Sequence, residues 1–163
     1  MRKALFVVCL SCLLTSLAMA QTKISGTHQC SKPDVEQTMQ VGDRPNHSFT
    51  ISQGKCTCPK PITIEGIQDK ERAYTNFREV SGNSSQSRGY NIATMANGDK
   101  VHFSYQVTAT LNEGVPQNLE AAWTIVGGTG KFTGIKGKGT CKGKSNPDDT
   151  RTWECEGEYT LPK

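Results

Sequence analysis

The chain has 163 residues, of which 19 are Lys or Arg and 15 are Asp or Glu, giving a formal charge of +4 at pH 7. That length fits a single domain with a core of its own. The charge is too small for a nucleic-acid-binding domain, so no nucleic-acid partner is expected.

Residues 1–20 carry the three parts of a secretory signal peptide. Arg2 and Lys3 are the basic start, Ala4 to Leu14 most of the apolar run, and Ala18-Met19-Ala20 the cleavage site. The apolar run falls short of the ~20 residues of a membrane-spanning helix, so no membrane anchor is expected. The residues before Cys12 fit a lipoprotein signal poorly. We therefore start the mature chain at Gln21 and read 21–163 as one domain, exported to a bacterial periplasm or the extracellular space. Without Arg2 and Lys3, 17 basic residues face 15 acidic ones.

Five of the seven cysteines remain in the mature chain: Cys30, Cys56, Cys58, Cys141 and Cys155. Export makes disulfides the default, and an odd count leaves one thiol over. Cys30 is expected to pair with Cys56 or Cys58; we assign Cys56 and leave Cys58, just before Pro59, as the spare. The alternative is a metal site from His28, Cys30, Cys56 and Cys58, since alternate strand residues point the same way. Its spacing differs from the usual zinc knuckle, so the reading is no metal and no cofactor.

Further along, Phe49 and Ile51 share one strand face. From Arg72 to Val80 the pattern is ambiguous. If Phe77 is inside, so is Glu79, whose desolvated carboxyl would be a candidate catalytic group beside the tyrosines Tyr90 and Tyr105. Ser81 to Ser87 reads as a polar turn. The Asn46-His47-Ser48 and Asn83-Ser84-Ser85 triplets match a glycan acceptor, which matters only in a eukaryote.

The second half alternates apolar and polar residues at period two. Val101, Phe103, Tyr105, Val107, Ala109 and Leu111 share a face. Asn97-Gly98 suits a two-residue type I′ hairpin, which places Tyr90 opposite Tyr105, Ile92 opposite Phe103 and Thr94 opposite Val101. Asn112 to Pro116 is a loop, after which Leu119, Ala121, Trp123 and Ile125 share one side. Pairing Tyr105 with Trp123 and Phe103 with Ile125 gives an aromatic-rich face that should point inward.

Gly127-Gly128-Thr129-Gly130-Lys131-Phe132 is no nucleotide loop: Phe132 follows the lysine where Ser or Thr is needed, and the glycines lack dinucleotide spacing. It resembles the Gly-Gly-Thr-Gly-Lys-aromatic signature of the allene oxide cyclase-like and dirigent-like barrel superfamily. The resemblance covers roughly residues 60–161 in architecture and one motif in detail. It implies a closed antiparallel β-barrel of about eight strands with an apolar lumen, in which this segment ends one strand and turns tightly into a Gly-rich next one. The family's catalytic residues have no matching positions here.

The last hairpin registers on two independent patterns. With Cys141 opposite Cys155, Lys142 meets Glu154 and Lys138 meets Glu158, as opposite charges across a ladder should. The same register sets Gly143 by Trp153, Gly139 by Gly157 and Gly137 by Tyr159. Asn146 to Asp149 form the turn. The five lysines from Lys131 to Lys144 then make a solvated outer face rather than an anion site.

For function the expectations are three. The first is an exported all-β, disulfide-stabilised barrel holding a small apolar ligand in a lumen of Phe49, Ile51, Tyr90, Phe103, Tyr105 and Trp123. The second is a cyclase-like or isomerase-like enzyme, and the third a non-catalytic structural or interaction module. No Gly-x-Ser-x-Gly elbow points to hydrolysis.

Overall fold

The computed structural model describes residues 21–162; the signal peptide expected over 1–20 lies outside them. Ten strands follow one another: β1 (Thr22–Cys30), β2 (Val35–Gln40), β3 (His47–Lys60), β4 (Thr63–Ile64), β5 (Ile67–Ser81), β6 (Ser84–Met95), β7 (Lys100–Asn112), β8 (Val115–Gly128), β9 (Lys136–Ser145) and β10 (Arg151–Thr160). Eight of them close an antiparallel barrel in the order β3-β1-β10-β9-β8-β7-β6-β5, with β5 returning to β3. Closure leaves those eight without a free edge. The short β2 pairs with β3 beyond the end of β1, and β4 pairs with β5. Among the described residues no helix is long and apolar enough to cross a membrane.

Each strand turns one parity inward, as a pleated strand must. On β7, Val101 and Phe103 are buried, and on β8 Leu119, Ala121, Trp123 and Ile125 are. Glycines on the inner face make room for the aromatic rings of the neighbouring strands. A Cβ at Gly54 would stand 2.6 Å from the Tyr74 hydroxyl, and one at Gly143 would stand 2.7 Å from the Trp153 ring. Gly139 and Gly157 both lie under Trp123. A small-large alternation of this kind lets eight strands curve tightly around bulky interior groups.

The terminal hairpin has the expected register throughout: Cys141–Cys155, Lys142–Glu154, Lys138–Glu158, Gly143–Trp153, Gly139–Gly157 and Gly137–Tyr159 all face each other. Tyr105–Trp123 and Phe103–Ile125 also pair as expected. Both disulfides form, Cys30–Cys56 and Cys141–Cys155, and Cys58 is free. Of the two lysine–glutamate pairs of the hairpin, only Lys138 and Glu158 come within ion-pair distance, at 3.8 Å, and with the lysine largely exposed the pair contributes at most about 1 kcal/mol.

The hairpin at Asn97-Gly98 departs from expectation by one residue. Gly98 takes φ +88° while Asn97 does not have positive φ, so the type I′ condition fails. Met95 and Asp99 instead close a three-residue loop, the amide of each of Met95 and Gly98 donating to Asp99 O and Met95 O respectively. The extra loop residue pairs Ala93 with Val101, Asn91 with Phe103 and Gly89 with Tyr105. A slip of one residue swaps the faces of a strand. Tyr90 and Ile92 therefore point outward, 63% and 39% exposed.

One end of the barrel is sealed. β8 runs into a 3-10 turn at Gly130–Phe132, and Phe132 and Ile135 plug the interior beside Ile64, Met95 and Val101. Complete burial of Phe132 contributes roughly 1.5–3 kcal/mol. The turn is tied to the neighbouring hairpin loop: Lys131 N–H donates to Asp99 Oδ2, and Lys100 N–H donates to Thr129 Oγ1. Gly130 takes the left-handed conformation at φ +53°, which strains any side chain, and a Cβ there would also push the Asp99 carboxyl aside. This segment ends one strand and turns into the Gly-rich β9, as the resemblance implied.

Candidate functional site

The inner faces enclose a cavity of about 160 Å³ reaching from the Phe103 and Trp123 rings to the exposed residues Ser31, Glu36 and Asp149, which mark its mouth. Its volume is close to that of an engineered cavity of about 150 Å³ that holds benzene. One wall is apolar, with Phe103, Val107, Leu119, Ala121, Trp123 and Trp153. Phe103 meets Trp123 edge to face at 5.6 Å. Both tryptophans of the chain stand in this wall.

The other wall is polar, because β3, β5 and β6 turn their polar parity inward. β5 contributes Arg72, Tyr74, Asn76 and Arg78, β3 contributes Ser52, and β6 contributes Ser85, Ser87 and Asn91. Deep in this wall Asp69 Oδ2 accepts from Arg72 Nη2 at 2.6 Å and Nε at 2.8 Å, while its other oxygen accepts from Ile62 N–H. The Arg72 guanidinium also lies 4.9 Å from the centre of the Phe103 ring. Its charge is thus bonded on one side and faced by π-electrons on the other.

Burial, with the Arg72 charge behind it, pushes His28 down to about 3, so its ring is neutral; Nδ1 lies 3.7 Å from Cys155 Sγ. Tyr105 donates to Asn76 Oδ1 at 3.2 Å, and burial holds its hydroxyl well above the usual phenol range. Asn91 is 8% exposed, and its Oδ1 is buried without a hydrogen-bond partner. A buried amide oxygen left unpaired costs about 1–3 kcal/mol.

Arg78 and Arg151 approach the same space from β5 and β10. No carboxylate lies within ion-pair distance of either among the described residues. Burial lowers the Arg151 pKa from its ordinary value, and the nearby Arg78 charge lowers it further.

Of the six residues expected in the lumen, Phe103, Tyr105 and Trp123 line the cavity. Phe49, Ile51 and Tyr90 do not; they lie on the outer face, where Phe49 stacks on Phe77 at 5.3 Å and Ile51 is 56% exposed. The inward disulfide partner Cys56 shows why: even-numbered β3 residues share its side, so odd-numbered Phe49 and Ile51 face away.

Phe77 is likewise outside, and Glu79 with it, so the condition for a desolvated Glu79 inside the barrel is not met. Glu79 instead accepts from His47 Nε2 at 3.1 Å, while His47 Nδ1 meets Asp43 at 2.5 Å. Both carboxylates raise the His47 pKa, Asp43 more strongly.

The disulfide between Cys30 and Cys56 uses two sulfurs of the alternative metal quartet, leaving His28 and Cys58 without those thiolates. Cys58 is half-buried, and burial pushes its thiol up to about 11.

The cavity's polar residues were missed, although two signals for them stand in the sequence. Arg151 shares the parity of Trp153 and Cys155 in the registered last hairpin, and Ser52 shares that of Cys56.

No protein-family model and no curated protein sequence matches the chain. Among solved structures it is similar to the pterocarpan synthase dirigent protein GePTS1, at 12% identity and a TM-score of 0.52, over 98% of this chain and all of that one. It is also similar to a pyocyanin demethylase, at 15% identity and a TM-score of 0.41, over 83% of this chain and 99% of that one. At such identities the dirigent likeness bears on the fold, and there it agrees with the antiparallel barrel described above.

Proposed function

We propose that this protein is an exported member of the dirigent-like and allene oxide cyclase-like barrels that binds a small aromatic molecule in its lumen. The observation that carries the reading is a benzene-sized cavity with an aromatic wall, lined also by Asn91, whose buried side-chain oxygen has no hydrogen-bond partner. Packed interiors rarely keep voids of this size or unpaired amide oxygens. Two disulfides support an oxidising compartment. The expectation of a purely apolar ligand fits only the Trp123 side; the polar wall favours a ring carrying polar substituents.

A thermal-shift screen with single-ring aromatics tests this. A ligand at about 100 times its Kd stabilises by about 2.7 kcal/mol, enough to raise Tm by several degrees. The rise should vanish in Ala121→Phe, which fills the cavity. No rise with any compound, or an undiminished rise in the filled variant, would overturn the proposal.

A further inference from the structure

Resting on the lumen reading above, we infer that the ligand is a single-ring aromatic carboxylate whose anionic group is held between Arg78 and Arg151, with its ring against Trp123 and Trp153. The two arginines come from strands that are not neighbours in the barrel, so only the interior brings them together. Arg72, the third arginine of the cavity, is already bonded to Asp69. Arg78 and Arg151 have no such partner. A guanidinium is always charged and presents donors in a fork that matches a carboxylate. Two of them half-buried and facing one space, without a bonded counter-ion, form a standing anion site.

The carboxylates nearest this space, Glu36 and Asp149, are exposed at the mouth, where water screens them. They leave the interior positive. Burial first and the Arg78 charge second lower the Arg151 pKa against the opposing charge of Glu36, and an anion between the two guanidiniums offsets the Arg78 repulsion.

The size of the cavity suits such a ligand: about 160 Å³ takes one ring and its substituents. Asn91 lies four residues from Ser87 along β6, and Ser87 pairs with Arg78. The orphan amide is therefore about 13 Å along the strand from the arginine level. Asn91, paired with Phe103, thus lines the deep end of the cavity and the two arginines the end toward its mouth.

Both tryptophans line the cavity, so their emission reports on binding without a label. The probes are benzoate and its neutral analogue benzamide, titrated at low salt and checked by calorimetry. Benzoate should bind at least tenfold more tightly than benzamide. In Arg78→Gln and Arg151→Gln that preference should fall to near unity. Equal affinity of the unaltered protein for both probes would overturn the anion site and leave the lumen reading standing. Binding of neither probe would overturn the anion site, and a silent thermal screen beside it would remove the lumen reading as well. The comparison in the unaltered protein needs no variant to fold.

Discussion

Gly89 lies directly across the β6–β7 ladder from Tyr105, and the phenol occupies the place a side chain at position 89 would need. A Cβ there would stand 2.7 Å from the Tyr105 hydroxyl and closer still to the Thr75 carbonyl, which cannot move without breaking β5. Gly89→Ala should therefore destabilise the fold by about 1–3 kcal/mol. Urea unfolding measures it. An unchanged midpoint would mean that Tyr105 does not lean across the ladder.

The Asp69–Arg72 pair is buried on both sides. Removing the carboxylate alone, in Asp69→Ala, leaves a buried cation and an unbonded Ile62 amide, and should cost about 3–5 kcal/mol. Asp69→Ala combined with Arg72→Leu should recover much of that loss. A double variant no more stable than the single one would contradict the role assigned to the pair.

Two histidines should shape stability against pH in opposite directions. His28 is neutral in the fold down to about 3 but takes up a proton near 6.5 when unfolded. Stability should therefore fall as pH drops below about 6.5. His47 is raised by Asp43 and Glu79, so its contribution is full below about 6.5 and is lost as pH rises through its folded value. The unfolding midpoint should peak near neutrality. His47→Gln should flatten the alkaline limb only, and an unaltered limb in that variant would count against the assignment.

Cys58 should be the one thiol of the described chain, and a slow one. With its pKa near 11, about one molecule in a thousand is thiolate at pH 8. A thiol reagent should label it slowly in the folded protein and at once in denaturant. Opening the second disulfide, in Cys141→Ser with Cys155→Ser, should cost roughly 3 kcal/mol for a loop of about fifteen residues. Rapid labelling of more than one thiol in the folded protein would contradict at least one of the two pairings.

The parts of the fold legible in the sequence were those where two patterns agreed. Cysteine and charge parity together fixed β9 against β10, and aromatic alternation fixed β7 against β8. At Asn97-Gly98 a single signal had to serve, and the choice between a two-residue and a three-residue loop moved β6 by one position. On β3 and β5 the periodicity was visible but its sign was not. Alternation says which residues share a face without saying which face is inner, and these strands carry polar residues inward and Phe49, Ile51 and Phe77 outward. The outer aromatics are partly sheltered, Phe77 by the stacked Phe49 and by Arg88 at 5.2 Å. An interior with a polar-walled cavity breaks the assumption that apolar means inside.

The lumen as the binding site is tested most directly by a proton–nitrogen NMR spectrum recorded during addition of benzoate. Trp123 and Trp153 give the two indole N–H signals of the chain, and the Trp123 indole N–H donates to Thr140 O inside the wall. Both signals should move together and saturate at one ligand per protein. If they stay fixed while amides around Ile51, Phe77 and Tyr90 shift, the ligand sits on the outer face and the account is contradicted.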